Sequence, residues 1–208
     1  GFIWRRFSFS WKMVVRNAMR TKGRLAFLVL GLAIAYGINT LPLFLADVFP
    51  AMFTMQYDKY QKMDYNVEFT RPLPKRAVKD ISRLVEAEKI EPKLEYPFEL
   101  QNGWRKKTVS IVGVPRNTSF YKFEDVHNRE VALPLKGLFL TEAMADTLKV
   151  SRGDKIIVKN FIPGKDDVEI EVKAIVKQYL GTNAYMDIDA MGELLVDRGM
   201  ITGVSLSV

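Results

Sequence analysis

Apolar spacing changes character three times along the first 64 residues. Residues 25–46, LAFLVLGLAIAYGINTLPLFLA, run for 22 positions without a charged side chain. As a helix that stretch is about 33 Å long at 1.5 Å per residue. It matches the ~30 Å hydrocarbon core of a bilayer and predicts a transmembrane helix. Before it, Trp11, Val14, Val15, Ala18 and Met19 recur at three- and four-residue steps, while Lys12, Arg16 and Arg20 share another face. This predicts a basic amphipathic helix along the membrane surface, with Ser10 as its cap. Trp4, Phe7, Phe9 and Trp11 are its aromatic anchors. After the span, Phe49, Met52, Phe53, Tyr57 and Tyr60 keep helical steps, predicting a stalk over 47–64 or a stripe packed on a core.

From residue 65 the period switches between two and 3.6. A strand is predicted over 65–69, then a helix opened by Pro74 with Ala77, Ile81, Leu84 and Val85 on one stripe. Leu94, Tyr96, Phe98 and Leu100 alternate with Glu95, Pro97, Glu99 and Gln101, a half-buried strand. Asn102-Gly103 supplies a two-residue hairpin turn. That register sets Glu99 opposite Lys106, Tyr96 opposite Val109 and Leu94 opposite Ile111, so Arg105-Lys106-Lys107 is assigned to cross-strand pairing rather than phosphate binding. Pro97 implies an edge position. Residues 115–130 are polar and irregular. Thr141 is placed as the cap of a helix burying Ala145 and Leu148, and Gly153-Asp154 turns the chain into a strand over 155–159. Alternation returns over 168–176, Asp189 is placed as the cap of a helix carrying Leu194 and Leu195, and a strand over 201–208 stops in mid-pattern. The expected fold class is α+β: one N-terminal transmembrane helix and a mixed domain over 65–208 that continues past Val208.

Charge orients this arrangement. Seven of the 31 Lys and Arg residues, including Lys22 and Arg24, lie in the first 24 positions with no acid among them. The remainder carries 24 basic residues against 24 acidic ones. The excess therefore belongs to one membrane face, attracts anionic lipid at about 1 kcal/mol per residue, and argues against nucleic acid as partner. Basic flanks stay cytoplasmic, which puts the N-terminus inside and the mixed domain outside. The apolar run exceeds a signal-peptide core and no small-x-small site follows, so an uncleaved anchor is expected. Within it, Gly31, Gly37, Asn39, Thr40 and Pro42 mark either a face for another helix or nearness to the outer interface.

Candidate chemistry is sparse. The chain has no Cys and one His, His127, so no thiol nucleophile or His-rich metal site can be assembled. There is no phosphate-cradling G-x-x-x-x-G-K-[ST] loop. Asp166-Asp167 and the pair Asp187 and Asp189 lack calcium-loop spacing and read as turn and cap residues. No catalytic residue, cofactor or metal ligand is assigned.

Two stretches resemble one family. Arg16-Asn17-x-x-Arg20-x-Lys22-Gly23-Arg24 leads straight into a span, as in FtsX/MacB-type ABC transporter permeases. Gly137-Leu138-x-Leu140-Thr141, Ala145, Leu148, Val150 and Gly153-Asp154-x-Ile156-x-Val158 are similar to that family's extracytoplasmic domain, as are the following alternation and Ala184-Tyr185-Met186-Asp187. The resemblance implies a permease subunit of the bacterial cell membrane with no ATPase motif of its own. It would work with a separate cytoplasmic ABC ATPase and a second permease half or copy, relaying ATP-driven motion outward for export, lipoprotein release or cell-wall control. The family has four spans and this sequence has one, so the ATPase-contacting loop is expected elsewhere in a longer chain, of which this is an N-terminal or interior piece. Two other classes remain open: a single-pass anchored binding or adaptor domain, and an anchored hydrolase relying on His127 or Asp187.

Overall fold

The computed structural model describes residues 9–178 and 183–208. The chain divides into two compact units, Gly1–Ala51 and Met52–Val208. The described part of the first is helical. Helix α1 (Phe9–Arg20) already includes Phe9, so Ser10 stands inside it and is not its cap. Thr21 separates α1 from α2 (Lys22–Thr54), a helix of 33 residues with none buried. Among the described residues α2 is the one helix long and apolar enough to cross a membrane. Two polar side chains within its apolar run bond back into the helix: Asn39 Nδ2 donates to the Ala35 carbonyl at 3.2 Å and Thr40 Oγ1 to that of Tyr36 at 2.9 Å. Pro42 lacks an N–H, so it cannot donate to the Ile38 carbonyl one turn back.

The second unit is mixed α+β. A single turn of π-helix, Met55–Tyr60, ends where Gln61 N donates to the Gln56 carbonyl. Strand β1 (Tyr65–Pro74), helix α3 (Ala77–Leu84), the hairpin β2 (Lys89–Asn102) and β3 (Arg105–Val114), and β4 (Leu138–Thr141) follow. They are succeeded by α4 (Glu142–Leu148), β5 (Lys155–Lys159), β6 (Val168–Val176), β7 (Ala184–Asp187), α5 (Ile188–Leu194) and β8 (Met200–Ser207). The strands form one sheet in the order β1-β8-β2-β3-β7-β4-β6-β5, and β5 pairs again with β2. Six strands, β2-β3-β7-β4-β6-β5, therefore close on themselves as a barrel, which removes their free edges. β8 and β1 extend the sheet from the other half of β2.

Strand β2 is long enough to serve two neighbours on one side: Lys89–Lys93 face β8, and Glu99–Gln101 face β5. Pro97, which has no N–H to offer, lies in the gap between them, so it is edge-like although its strand is interior. Thr202 Oγ1 fills that gap, accepting the Glu95 amide at 2.7 Å. The hairpin register differs from expectation by two residues: Asn102 pairs with Arg105, Glu99 with Thr108, Tyr96 with Ile111 and Leu94 with Gly113. Asn102 stays in the ladder because its side-chain amide donates to the Leu148 and Lys149 carbonyls at 3.1 and 3.3 Å. Gly103, with φ +58°, takes the first turn position instead.

The core has two compartments. The larger holds Leu94, Phe98, Leu100, Ile111, Leu148, Val158, Val172 and Met191, sealed by α4 and α5. The smaller holds Val112, Phe123, Phe139, Ala174 and Tyr185. Strands β3, β4, β6 and β7 contribute to both, so β4 and β7 are buried at every position.

Candidate functional site

At the N-terminal end of the α+β unit, the π turn is tied into the domain by a set of specific contacts. The π turn buries Gln56 and Tyr60, at 2% and 4% exposure. Tyr60 Oη donates to Glu124 Oε2 at 3.1 Å. Lys122 Nζ lies 3.5 Å from Glu124 Oε1 and 3.3 Å from Glu130 Oε2. Main-chain bonds lock the same segments: Lys62 N donates to the Phe120 carbonyl at 2.8 Å and Lys122 N to the Tyr60 carbonyl at 3.0 Å. On the C-terminal side, Asp64 Oδ2 accepts from Ser207 Oγ at 2.7 Å and Val208 N at 3.1 Å. These bonds hold the Asp64 carboxyl below its ordinary range, the Ser207 hydroxyl foremost.

Behind the junction stands an aromatic cluster. Phe123 lies with ring centroids 5.0 Å from Tyr185, 5.5 Å from Phe139 and 6.3 Å from Tyr121. Burial raises the Tyr121 phenol and pushes that of Tyr185 up to about 12. Tyr185 Oη donates to Gln178 Oε1 at 3.1 Å. Residues 115–130, read from sequence as a loop, are irregular but pack Phe120 and Phe123 into the core. The available signal was three aromatics, Phe120, Tyr121 and Phe123, within a polar stretch.

A cleft of about 670 Å³ opens beside the same loop, lined by His127, Val131, Phe139, Arg152, Lys173 and neighbours. His127 is exposed, and its amide, like that of Arg129, donates to Asp125 Oδ1. The Arg129 amide foremost, with the Arg129 side chain and the His127 amide, holds the Asp125 carboxyl down to about 2.

The sequence-selected positions fall into separate groups. Trp4 and Phe7 lie outside the described residues. Trp11, Lys12, Arg16 and Arg20 belong to α1, and Lys22, Arg24, Gly31, Gly37, Asn39, Thr40 and Pro42 to α2. The second group gathers around β4, α4 and β5. Ala145 and Leu148 are buried beneath α4. Gly137 adopts φ +109°, and a Cβ there would stand 2.5 Å from Lys173 Cγ. Gly153 N donates to the Val172 carbonyl and Val172 N to that of Asp154, both at 2.8 Å, fastening this turn to β6. Asp154 Oδ2 accepts the Ser151 amide at 2.7 Å. One cap falls where expected and one does not. Thr141 occupies the cap position of α4, but its side chain makes no capping bond and Oγ1 is buried without a partner. Asp187, not Asp189, caps α5, accepting the Asp189 and Ala190 amides at 3.1 and 3.0 Å. Asp189 is already in the first helical turn and pairs with Lys75 at 2.7 Å.

No family model and no curated protein matches the sequence. The fold is similar to that of the extracellular domain of the noncanonic ABC-type transporter YknZ from Gram-positive bacteria. That likeness has a TM-score of 0.50 at 9% identity, over 69% of this chain and 83% of the other. The periplasmic region of MacB from Actinobacillus actinomycetemcomitans also aligns, with a TM-score of 0.47 at 13% identity, over 65% of this chain and 64% of the other. The mixed α+β domain thus has a fold seen in an ABC-type transporter's extracellular domain.

Proposed function

We propose that this chain supplies the first span and the extracytoplasmic domain of an ABC transporter permease subunit. Its N-terminus is cytoplasmic, and a separate cytoplasmic ATPase and a second permease half or copy are its partners. The chain itself is a transmission part, not an enzyme. α2 carries motion produced by the ATPase toward the domain, and the Tyr60–Glu124 junction delivers it. The observation that supports this reading best is the path of the backbone. An apolar helix long enough for a membrane runs to Thr54, and in the turn that follows it Gln56 and Tyr60 are buried and Tyr60 is bonded within the α+β unit. The YknZ-like fold of that domain agrees with it.

The test is to tag the natural gene product, purify it from its own membranes and follow amide exchange at Lys62 and Lys122 with and without ATP. Co-purification of a nucleotide-binding subunit, with ATP-dependent protection at those amides, is expected. A product that purifies alone and whose exchange ignores ATP overturns the proposal. It would favour the single-pass anchored binding domain, for which the cleft of about 670 Å³ is the supporting feature.

A further inference from the structure

The β2–β3 hairpin ends in a feature that the fold does not need. Trp104, at the second turn position, is 80% exposed. A tryptophan buries 150–250 Å² when it packs, so an exposed one at a turn forgoes a large apolar contribution. Nor is the turn loose. Asn102 Nδ2 is bonded to the Leu148 and Lys149 carbonyls at the end of α4, and Gln101 Nε2 donates to the Gly103 carbonyl at 2.9 Å. The indole is thus presented from a braced tip. The Arg105 guanidinium lies over its ring at 4.5 Å, so one charge is held against the apolar surface. Lys106 and Lys107 follow, both exposed, and Lys149 is exposed beside Asn102. Among the described residues the carboxylate paired to this group is Glu99, 3.8 Å from Lys106.

We propose that this tip docks on an anionic phospholipid surface, with Trp104 seated at the headgroup level and Arg105, Lys106, Lys107 and Lys149 contacting phosphates. A rigid aromatic flanked by a surplus of cations is the composition favoured at a charged membrane interface. A protein partner suits it less well: Trp and Arg are common at protein interfaces, but lysine is depleted there, and three of these four cations are lysines. The site is independent of the transporter assignment, since a charged bilayer would recruit it in any anchored protein.

The test uses the full chain with Trp4→Phe and Trp11→Phe, leaving Trp104 as sole indole, held in phosphatidylcholine nanodiscs. Vesicles with brominated acyl chains are then added, made of either phosphatidylglycerol or phosphatidylcholine. Phosphatidylglycerol vesicles should shift Trp104 emission to the blue and quench it. Lys106→Glu with Lys107→Glu should weaken that response by about tenfold or more, as should raised salt. Circular dichroism checks that these surface variants remain folded. Because bromine quenches at short range, binding through the basic N-terminal segment does not produce the signal. Emission that stays red and unquenched, or quenching equal on both lipids, overturns the proposal.

Discussion

Replacing Tyr60 with Phe removes one oxygen from the junction and leaves the ring's burial intact, so the change reads the hydrogen bond without adding a cavity. The bond spans 3.1 Å to a carboxylate whose side chain is 6% exposed. Hydrogen bonds to charged groups net about 1.5–3 kcal/mol. Glu124 would keep Lys122 at 3.5 Å, and that ammonium is 35% exposed, so the carboxylate is not orphaned. The loss should fall at the low end, about 1.5 kcal/mol. It should appear as local opening, because the Lys122 and Lys62 amides close the same contact. In native-state hydrogen exchange both should exchange about tenfold faster, while the Val172 amide, which donates across to Asp154 in the barrel, should not change. Repeating Tyr60→Phe in a Glu124→Gln background should give a smaller effect, since the charged acceptor is already gone. Unchanged exchange at Lys122 and Lys62, or the same acceleration in both backgrounds, would refute the coupling.

Two further changes test the frame around the junction. A Cβ at Gly203 would lie 2.5 Å from the Val67 carbonyl oxygen, so Gly203→Ala must push β1 away from β8; a loss of about 1–3 kcal/mol is expected in denaturant unfolding, and an unshifted midpoint would contradict the packing. Asp125 tests the turn beside the cleft. Its carboxyl titrates near 2 in the folded chain against an ordinary 3.8. A lowered folded value gives stability that is fully present above the unfolded value and is lost as pH falls from about 4 toward 2. Asp125→Asn should flatten that part of the acid-unfolding curve, and a carboxyl shift titrating near 4 by NMR would show the bonds to be absent.

Legibility followed burial. Strand β6 was readable residue for residue, because it has one buried face and so alternates; β5 was placed by the Gly153-Asp154 turn before it, since its Ile-Ile-Val run hides the alternation of its burial. Strands β4 and β7 are buried on both faces, Leu-Phe-Leu-Thr and Ala-Tyr-Met-Asp, and short runs of that kind carry no period by which to call them strands. The apolar helix was legible because a run of 22 uncharged residues is long enough for a bilayer and too apolar to present a solvated face. The junction was not, since Tyr60 and Glu124 are 64 positions apart and nothing local links them. Cap assignments failed where two acids or hydroxyls stood near one helix start: choosing Asp187 over Asp189 needs the backbone angles, not the residue type.

The hairpin shows why a correct pattern can still give a wrong partner. Side chains on a strand repeat every two residues, so a slip of one would have turned Leu94, Phe98 and Leu100 out of the core and would have been rejected at once. A slip of two returns every side chain to its own face and costs nothing in pattern. Only the turn distinguishes the two registers, and there Asn102-Gly103 is the stronger signal by propensity alone. Asn102 is withheld from that turn by Leu148 and Lys149, carbonyls 46 and 47 positions away. The tertiary contact therefore sets the local geometry: it moves Gly103 into the first turn position and Trp104 into the second. The same bond that corrects the register is what places the indole at the tip.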